Sequence, residues 1–261
     1  TRFGNLGNIL DFENLTKDNI YVLESPILSN SQHEKFMGFF SDSVKVLDCT
    51  FGIQNNLKES LDKLSSEAEI AVREGYKHLI LSDKQLSENR AAIPMILAFG
   101  AINSKLVNLG IRGFASINIQ TGETLDTHSF AVLLGIGATT INPYLAFDSI
   151  YQRYEKKLFR KLSYEECVQR YIKSVDNGLL KIMSKMGISV LSAYRGGCNF
   201  ETVGLSRAVV AEYFPGMISR ISGIGILGIE KKIKELHKKA FQKNLSILPI
   251  GGFYKYRKNG E

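Results

Sequence analysis

Lys181–Leu205 reads KIMSKMGISVLSAYRGGCNFETVGL and gathers Met183 and Met186, the pair Tyr194-Arg195, Gly196-Gly197 and Cys198. Three chemistries suit such a mixture. A thiol beside a cation and a helix start is a nucleophile in waiting, because both lower its pKa. A glycine-rich turn can cradle a phosphate. The same turn can also serve a packed core. The nucleophile needs a placed base, and the four histidines (33, 78, 128 and 237) are all distant in sequence. Cys198 therefore reads first as a small buried thiol, and Cys49, at the end of an apolar run, as core.

Other motifs carry less. GIGILG (223–228) has the spacing of a dinucleotide fingerprint. That site also wants an acid about 20 residues on, where the chain reads ILPIGG. In GIGATTINP (135–143), Gly135 and Gly137 read as a helix end. Asp126 and His128 have the spacing of a helix start. In SDKQLSENRAAIP (82–94), an Asp83–Arg90 ion pair is the expected loop brace, and Ser82-Asp83 falls where α/β sheets display functional groups. No histidine joins a cysteine or acid at metal-ligand spacing, so no metal site and no catalytic residue is assigned.

The elements that must position these residues alternate. VKVLDCTF (44–51), HLILSD (78–83), FASINIQ (114–120) and ATTINP (138–143) read as strands. Helices are predicted over 57–74, with Leu57, Leu61, Leu64, Ala68, Ala71 and Val72 at helical spacing, and over 92–109, closed by Gly75 and Gly110. A short helix covers 126–135. Beyond 143 the pattern turns helical, at 144–159, 163–186, 199–213 and 228–242, with one short strand at 188–194. The fold class is α/β, a parallel sheet flanked by helices, with a compositional boundary near residue 150.

Composition sets outer limits. The 261 residues carry a net charge of +7 with 44% hydrophobic content, ordinary for a globular chain. The basic runs are Lys156, Lys157, Arg160 and Lys161, and KKIKELHKK at 231–239. In the second, Ile233 and Leu236 are expected to face the core and the lysines water. No nucleic-acid module signature is present. Three cysteines without C-x-x-C spacing suggest a reducing, cytoplasmic setting, and no apolar run is long enough to span a membrane. The chain opens on Thr1 and is expected to be a piece of something longer.

Four segments carry a resemblance: YVLESPILSN (21–30), LSDKQLSENRAAIPMILAFGAI (81–102), TGETLDTHSFAVLLGIGATTINPYLAFDSI (121–150) and GLLKIMSKMGISVLSAYRGGCNFETVGL (178–205). Together they resemble the large (α) subunit of glutamate synthase. The likeness runs from GNLGNIL to GGFYKYRKNGE. Members often carry S-Y-R-G-A-Q-I-F-E where this chain has Ala193 to Glu201, so Cys198 and Asn199 are departures.

The resemblance implies an FMN and iron–sulfur oxidoreductase. Glutamine-derived ammonia travels through a tunnel to 2-oxoglutarate at a flavin-bearing (β/α)8 barrel, and glutamate forms. Residues 1–150 would be the later part of the central domain. Residues 151–261 would be a helix-rich, incomplete beginning of the FMN domain, starting at 186–197. Met186, Gly187, Ser189, Tyr194, Arg195 and Gly196 would lie on the flavin and substrate side. Arg195 has a second reading, tying down a neighbouring loop. The amidotransferase cysteine, the compact iron–sulfur cysteines and a glycine-rich phosphate segment have no counterpart here. The piece by itself is therefore expected to be inactive, without tightly bound FMN. Implied partners are the amidotransferase, FMN and C-terminal domains of the same polypeptide, with a nicotinamide-dependent small subunit or ferredoxin as electron source. The alternative is a stand-alone α/β scaffold that lost the chemistry.

Overall fold

The computed structural model describes residues 2–3 and 20–242. GNLGNIL and the closing run from ILPIGG to GGFYKYRKNGE lie outside the described residues. The strands β1 (Arg2–Phe3) and β2 (Tyr21–Val22) form a small antiparallel pair. Helix α1 (Asn30–Phe39) then starts on a reciprocal capping box between Ser29 and Gln32, which satisfies two otherwise orphaned backbone N–H groups.

The main sheet follows. Strand β3 (Val44–Asp48) is parallel to β5 (His78–Ser82), β5 to β7 (Ser116–Gln120), and β7 to the short β8 (Ile141–Asn142), in the order β3-β5-β7-β8. A parallel bridge from Ile27 to Ile141 flanks β8. Chain running parallel to its neighbour needs crossovers. These are α2 (Leu57–Arg73), α3 (Met95–Asn108) and α4 (Thr127–Gly135). All six apolar positions predicted for α2 are buried, and Gly75 and Gly110 close α2 and α3 at φ +97° and +69°.

VKVLDCTF is not one strand. It breaks at Cys49, and β4 (Thr50–Gly52) turns away to pair antiparallel with β6 (Arg90–Ala92). β3 is an edge strand, so Val46 is half exposed.

Successive side chains of a strand point to opposite faces, and β5 buries both. Leu79 and Leu81 join the large core with α2, α3 and α4. Ile80 joins a second core with Phe3, Leu28 and Phe36 under α1. The sheet is therefore covered by helices on both faces. On the α1 side, His78 sits among the rings of Phe3, Phe36 and Phe40, its centroid 4.1 Å from that of Phe40, and its Nδ1 lies 2.8 Å from Ser116 Oγ.

That burial has a pH consequence. His33 and His78 are each pulled down to about 4, by burial first and then by Lys84 and Lys77 respectively. Above the unfolded value of about 6.5 both are neutral in either state, and their stability is fully present. As pH falls from there toward 4, the unfolded chain takes up protons the folded one refuses. We expect the urea-derived stability at pH 5 to lie about 2–3 kcal/mol below that at pH 7. His78→Phe, which keeps a ring in the cluster, should remove roughly half of that pH slope.

The remaining helices complete the large core. α5 (Tyr144–Glu155) and α6 (Tyr164–Lys185) contribute Phe147, Val168, Ile172 and Leu179. No helix of the described residues is long and apolar enough to cross a membrane. Two expectations fail after α6. ISVLSAY holds a helical turn, α7 (Leu191–Tyr194), in place of a strand, because Tyr194 turns its ring into the core and its hydroxyl donates to Ala131 O at 3.1 Å. The predicted helix at 199–213 begins as β9 (Glu201–Leu205) and becomes helical only in α8 (Arg207–Tyr213), capped by Ser206. Strand β10 (Ile218–Ile224) runs parallel to β9, and α9 (Ile226–Ala240) follows.

Candidate functional site

Two places gather polar groups. The first lies at the carboxyl ends of the main strands. Asp83, directly after β5, is 3% exposed. Its carboxylate accepts from Thr121 Oγ1 at 2.6 Å and from the Gly122 N–H at 3.0 and 3.2 Å. The Tyr144 hydroxyl is pushed well up, by burial first and then by the Asp83 charge and hydrogen bond. Lys84 lies over the Tyr144 ring, and Glu123 accepts from Met95 N at 2.8 Å, capping α3. Asp83 is thus held by the β7 loop, whereas Arg90 donates to Asp48 at 2.6 Å and to Thr50 Oγ1 at 2.9 Å. The expected Asp83–Arg90 brace does not form: β6 carries Arg90 along the ribbon to β4 instead.

Behind Asp83 runs a buried polar ladder. Ser82 Oγ donates to Gln120 Oε1 at 2.9 Å, Gln120 Nε2 to Asn142 Oδ1 at 3.3 Å, and Asn142 Nδ2 to Leu28 O and Asn30 Oδ1. One step down, Thr140 Oγ1 donates to Asn118 Oδ1, and Asn118 Nδ2 to Ser116 Oγ. Apart from Ser82, sequence reasoning missed these residues. The signal was there in SINIQ, whose alternation of polar and apolar residues ordinarily marks a wet face; α1 covers it instead.

The second place is the turn that follows α6. Met186 caps α6, and Gly187, at φ +70°, closes it, with the Ile188 N–H donating back to Met183 O. Met186, Gly187 and Ser189 are exposed there. Tyr194, Arg195 and Gly196 are packed against the α4–β8 connection. Arg195 Nη2 donates to Thr139 O at 2.6 Å and Gly196 N to Gly135 O at 2.8 Å. Burial and the nearby Arg112 bring the Arg195 guanidinium down to about 10. Of the six residues, Met186, Gly187, Ser189 and Gly196 are exposed, Arg195 is half-buried and ties down a loop, and Tyr194 is buried.

Cys198 lines a cleft of about 100 Å³ with Phe99, Asn103, Gly196, Phe214 and Met217. It is exposed, sits at φ +51° and leads into strand β9. It is therefore not a buried thiol, and no helix start activates it. Cys49 is buried as expected, its thiol raised by burial and by Asp83 and Asp48. Among the described residues no group of His, Cys, Asp and Glu could hold a metal ion. Asp126 caps α4 through Ser129, so the Asp126–His128 spacing is a helix start. Gly137, at φ +119°, ends α4. In GIGILG, Gly223 serves a close approach: a Cβ there would stand 2.7 Å from Gly204 Cα and nearer still to its carbonyl.

The α9 face is also rearranged. Leu236 is 66% exposed, while Glu230, Lys234 and His237 grip the main unit. Glu230 accepts from Leu57 N at 2.9 Å, Lys234 donates to Asn55 O at 2.9 Å, and His237 Nε2 lies 2.9 Å from Glu88 O. Ile233 packs against the large core as expected, with Ile226 and Ile229, and these polar contacts flank that apolar stripe.

A parallel sheet with helices on both faces and its polar cluster at the strands' carboxyl ends defines an α/β domain. The family model described as the glutamate synthase central domain matches residues 1–206. The chain belongs to the glutamate synthase central-domain family. It is 49% identical over 264 residues to the glutamate synthase [NADPH] large chain of Azospirillum brasilense, covering all of this chain and 17% of that protein. It is 37% identical to the large chain of Bacillus subtilis, over 92% of this chain and 16% of the relative. It is 38% identical to the chloroplastic ferredoxin-dependent glutamate synthase of Oryza sativa, over 99% of this chain and 17% of the relative. The chain thus spans about one sixth of the length of these relatives.

Proposed function

We propose that the chain acts as part of a glutamate synthase large polypeptide, an FMN and iron–sulfur oxidoreductase that makes glutamate from 2-oxoglutarate and glutamine-derived ammonia. Residues 1–150 would be the later part of the central domain, a scaffold bordering the ammonia path. Residues 151–261 would open the FMN barrel. The observation that carries this reading is the unit β9–α8–β10–α9. It is a parallel strand–helix–strand crossover, the repeating step of a (β/α)8 barrel, in a sheet that has two strands among the described residues. Val203, Ile218 and Ile221 on it are 58–66% exposed, which suits strands awaiting neighbours. Helix α5 crosses the proposed boundary, and its Phe147 packs in the large core with Val168 and Ile172 of α6, so both portions would share one core.

The residues fit one side of a flavin. Gly187 and Gly196 have open space where a Cβ would stand, so a flat ring can approach the backbone. Exposed Met186 offers a soft apolar contact, and Ser189 a hydroxyl. Tyr194 and Arg195 would position Gly196 through their backbone bonds. When bound, FMN would supply the reducing equivalents. The other domains of the same polypeptide would bring ammonia and complete the cofactor site. Electrons would come from a nicotinamide-dependent subunit or from ferredoxin.

A flavin fluorescence titration tests this. The 261-residue chain alone should bind FMN more weakly than about 1 µM, since a barrel needs about 250 residues of its own. A polypeptide extended through the remaining barrel should bind it tightly, and Gly187→Val should weaken that binding. Tight binding by the short chain, or none by the extended one, would overturn the reading.

A further inference from the structure

The connection between α5 and α6 does nothing in the function proposed above. Residues 153–161, RYEKKLFRK, set five cations (Arg153, Lys156, Lys157, Arg160 and Lys161) against one carboxylate, Glu155. These nine residues carry a net +4 of the chain's +7. Among the described residues none of the five cations enters an ion pair, although 26 acidic residues are available in the chain.

The turn is also built at a cost. Ten described residues have positive φ; seven are glycines, and the other three are Lys157, Arg160 and Cys198. Lys157 and Arg160, both at φ +56°, occupy a conformation that glycine adopts more cheaply. The Lys157 and Leu158 N–H groups close α5 onto Tyr154 O and Arg153 O, a helix end that ordinarily takes glycine. Side chains kept at such positions point to a use for them.

Three of these cations, Lys157, Arg160 and Lys161, line an open hollow of about 610 Å³ together with Glu155, Ser163 and the half-buried Tyr154, Phe159 and Leu162. Leu158 beside it is 61% exposed. An inorganic anion would occupy a small part of that space. A protein segment with acidic residues around apolar ones matches both the charge and the apolar side chains of the lining.

We propose that the α5–α6 connection is a docking site for an acidic, leucine-containing segment of a partner protein, held by Lys157, Arg160 and Lys161. The proposal does not rest on the flavin reading.

The test uses the full chain and a fluorescein-labelled (Glu-Glu-Leu)4 peptide, followed by anisotropy at about 20 and 200 mM NaCl. Binding should weaken with salt and exceed that of (Glu-Glu-Ser)4. Lys157→Gly/Arg160→Gly keeps the left-handed turn and so should leave folding intact, while weakening peptide binding about fivefold. An unchanged affinity in that variant would overturn the proposal. So would equal binding of (Glu-Glu-Ser)4, of anionic phosphatidylserine vesicles or of duplex DNA, since each makes the patch a nonselective polyanion surface.

Discussion

Asp83→Ala is expected to lower the unfolding free energy by about 3 kcal/mol. The carboxylate is nearly inaccessible and holds the Thr121 hydroxyl and the Gly122 N–H. Alanine leaves both donors facing a space that water does not readily fill, and each unsatisfied buried donor costs about 1–3 kcal/mol. Removing a buried charge recovers part of the desolvation penalty, which is why the total is set near 3. Asp83→Asn keeps an acceptor and should cost about half as much. Urea denaturation at pH 7 measures both, and a loss below about 1 kcal/mol for alanine would show that the β7 loop holds itself without Asp83.

The second large effect is at Gly223. Its α-carbon faces Gly204 across the β9–β10 pair so closely that any Cβ overlaps the Gly204 backbone. Backbone on both sides of the overlap cannot rotate away as a side chain can. Gly223→Ala should therefore part the two strands, at about 3 kcal/mol, and raise hydrogen exchange at Val203 and Leu205. The main sheet, which shares no strand with this pair, should keep its protection. Exchange that rises equally in β5 and β7 would mean that the two sheets unfold as one.

Much of the fold was legible because periodicity and punctuation agreed. In α2 the six apolar positions and Gly75 indicate the same helix. Misreadings occurred where local pattern and tertiary demand diverged. ISVLSAY has the residues of a strand, yet one buried ring and one hydroxyl bond to Ala131 coil it into α7. FETVGL was merged with the helix after it, because nothing but Ser206 marks the change. Leu236 lies in water because the face of α9 turned to the main unit is Ile226, Ile229 and Ile233, with Glu230 and Lys234 bonding the backbone of Leu57 and Asn55. The Ser82-Asp83 end of β5 was legible as a site from topology alone. The residues that hold it, Thr121 and Gly122, arrive from 38 and 39 positions away and leave no mark in local sequence.

The polar ladder across the sheet has a further consequence, for strand alignment during folding. Strand β8 pairs with β7 over only two positions, Ile119 with Ile141 and Gln120 with Asn142. A slip of one residue would turn Ile141 out of the core, and the apolar pattern forbids it. A slip of two would not: inward and outward residues would keep their faces, and greasy packing alone would scarcely object. The side-chain amides do object. Gln120 would lose Asn142, and Asn142 would lose Asn30 and the Leu28 carbonyl. The ladder is thus a proofreading device that rejects the one misalignment hydrophobicity tolerates.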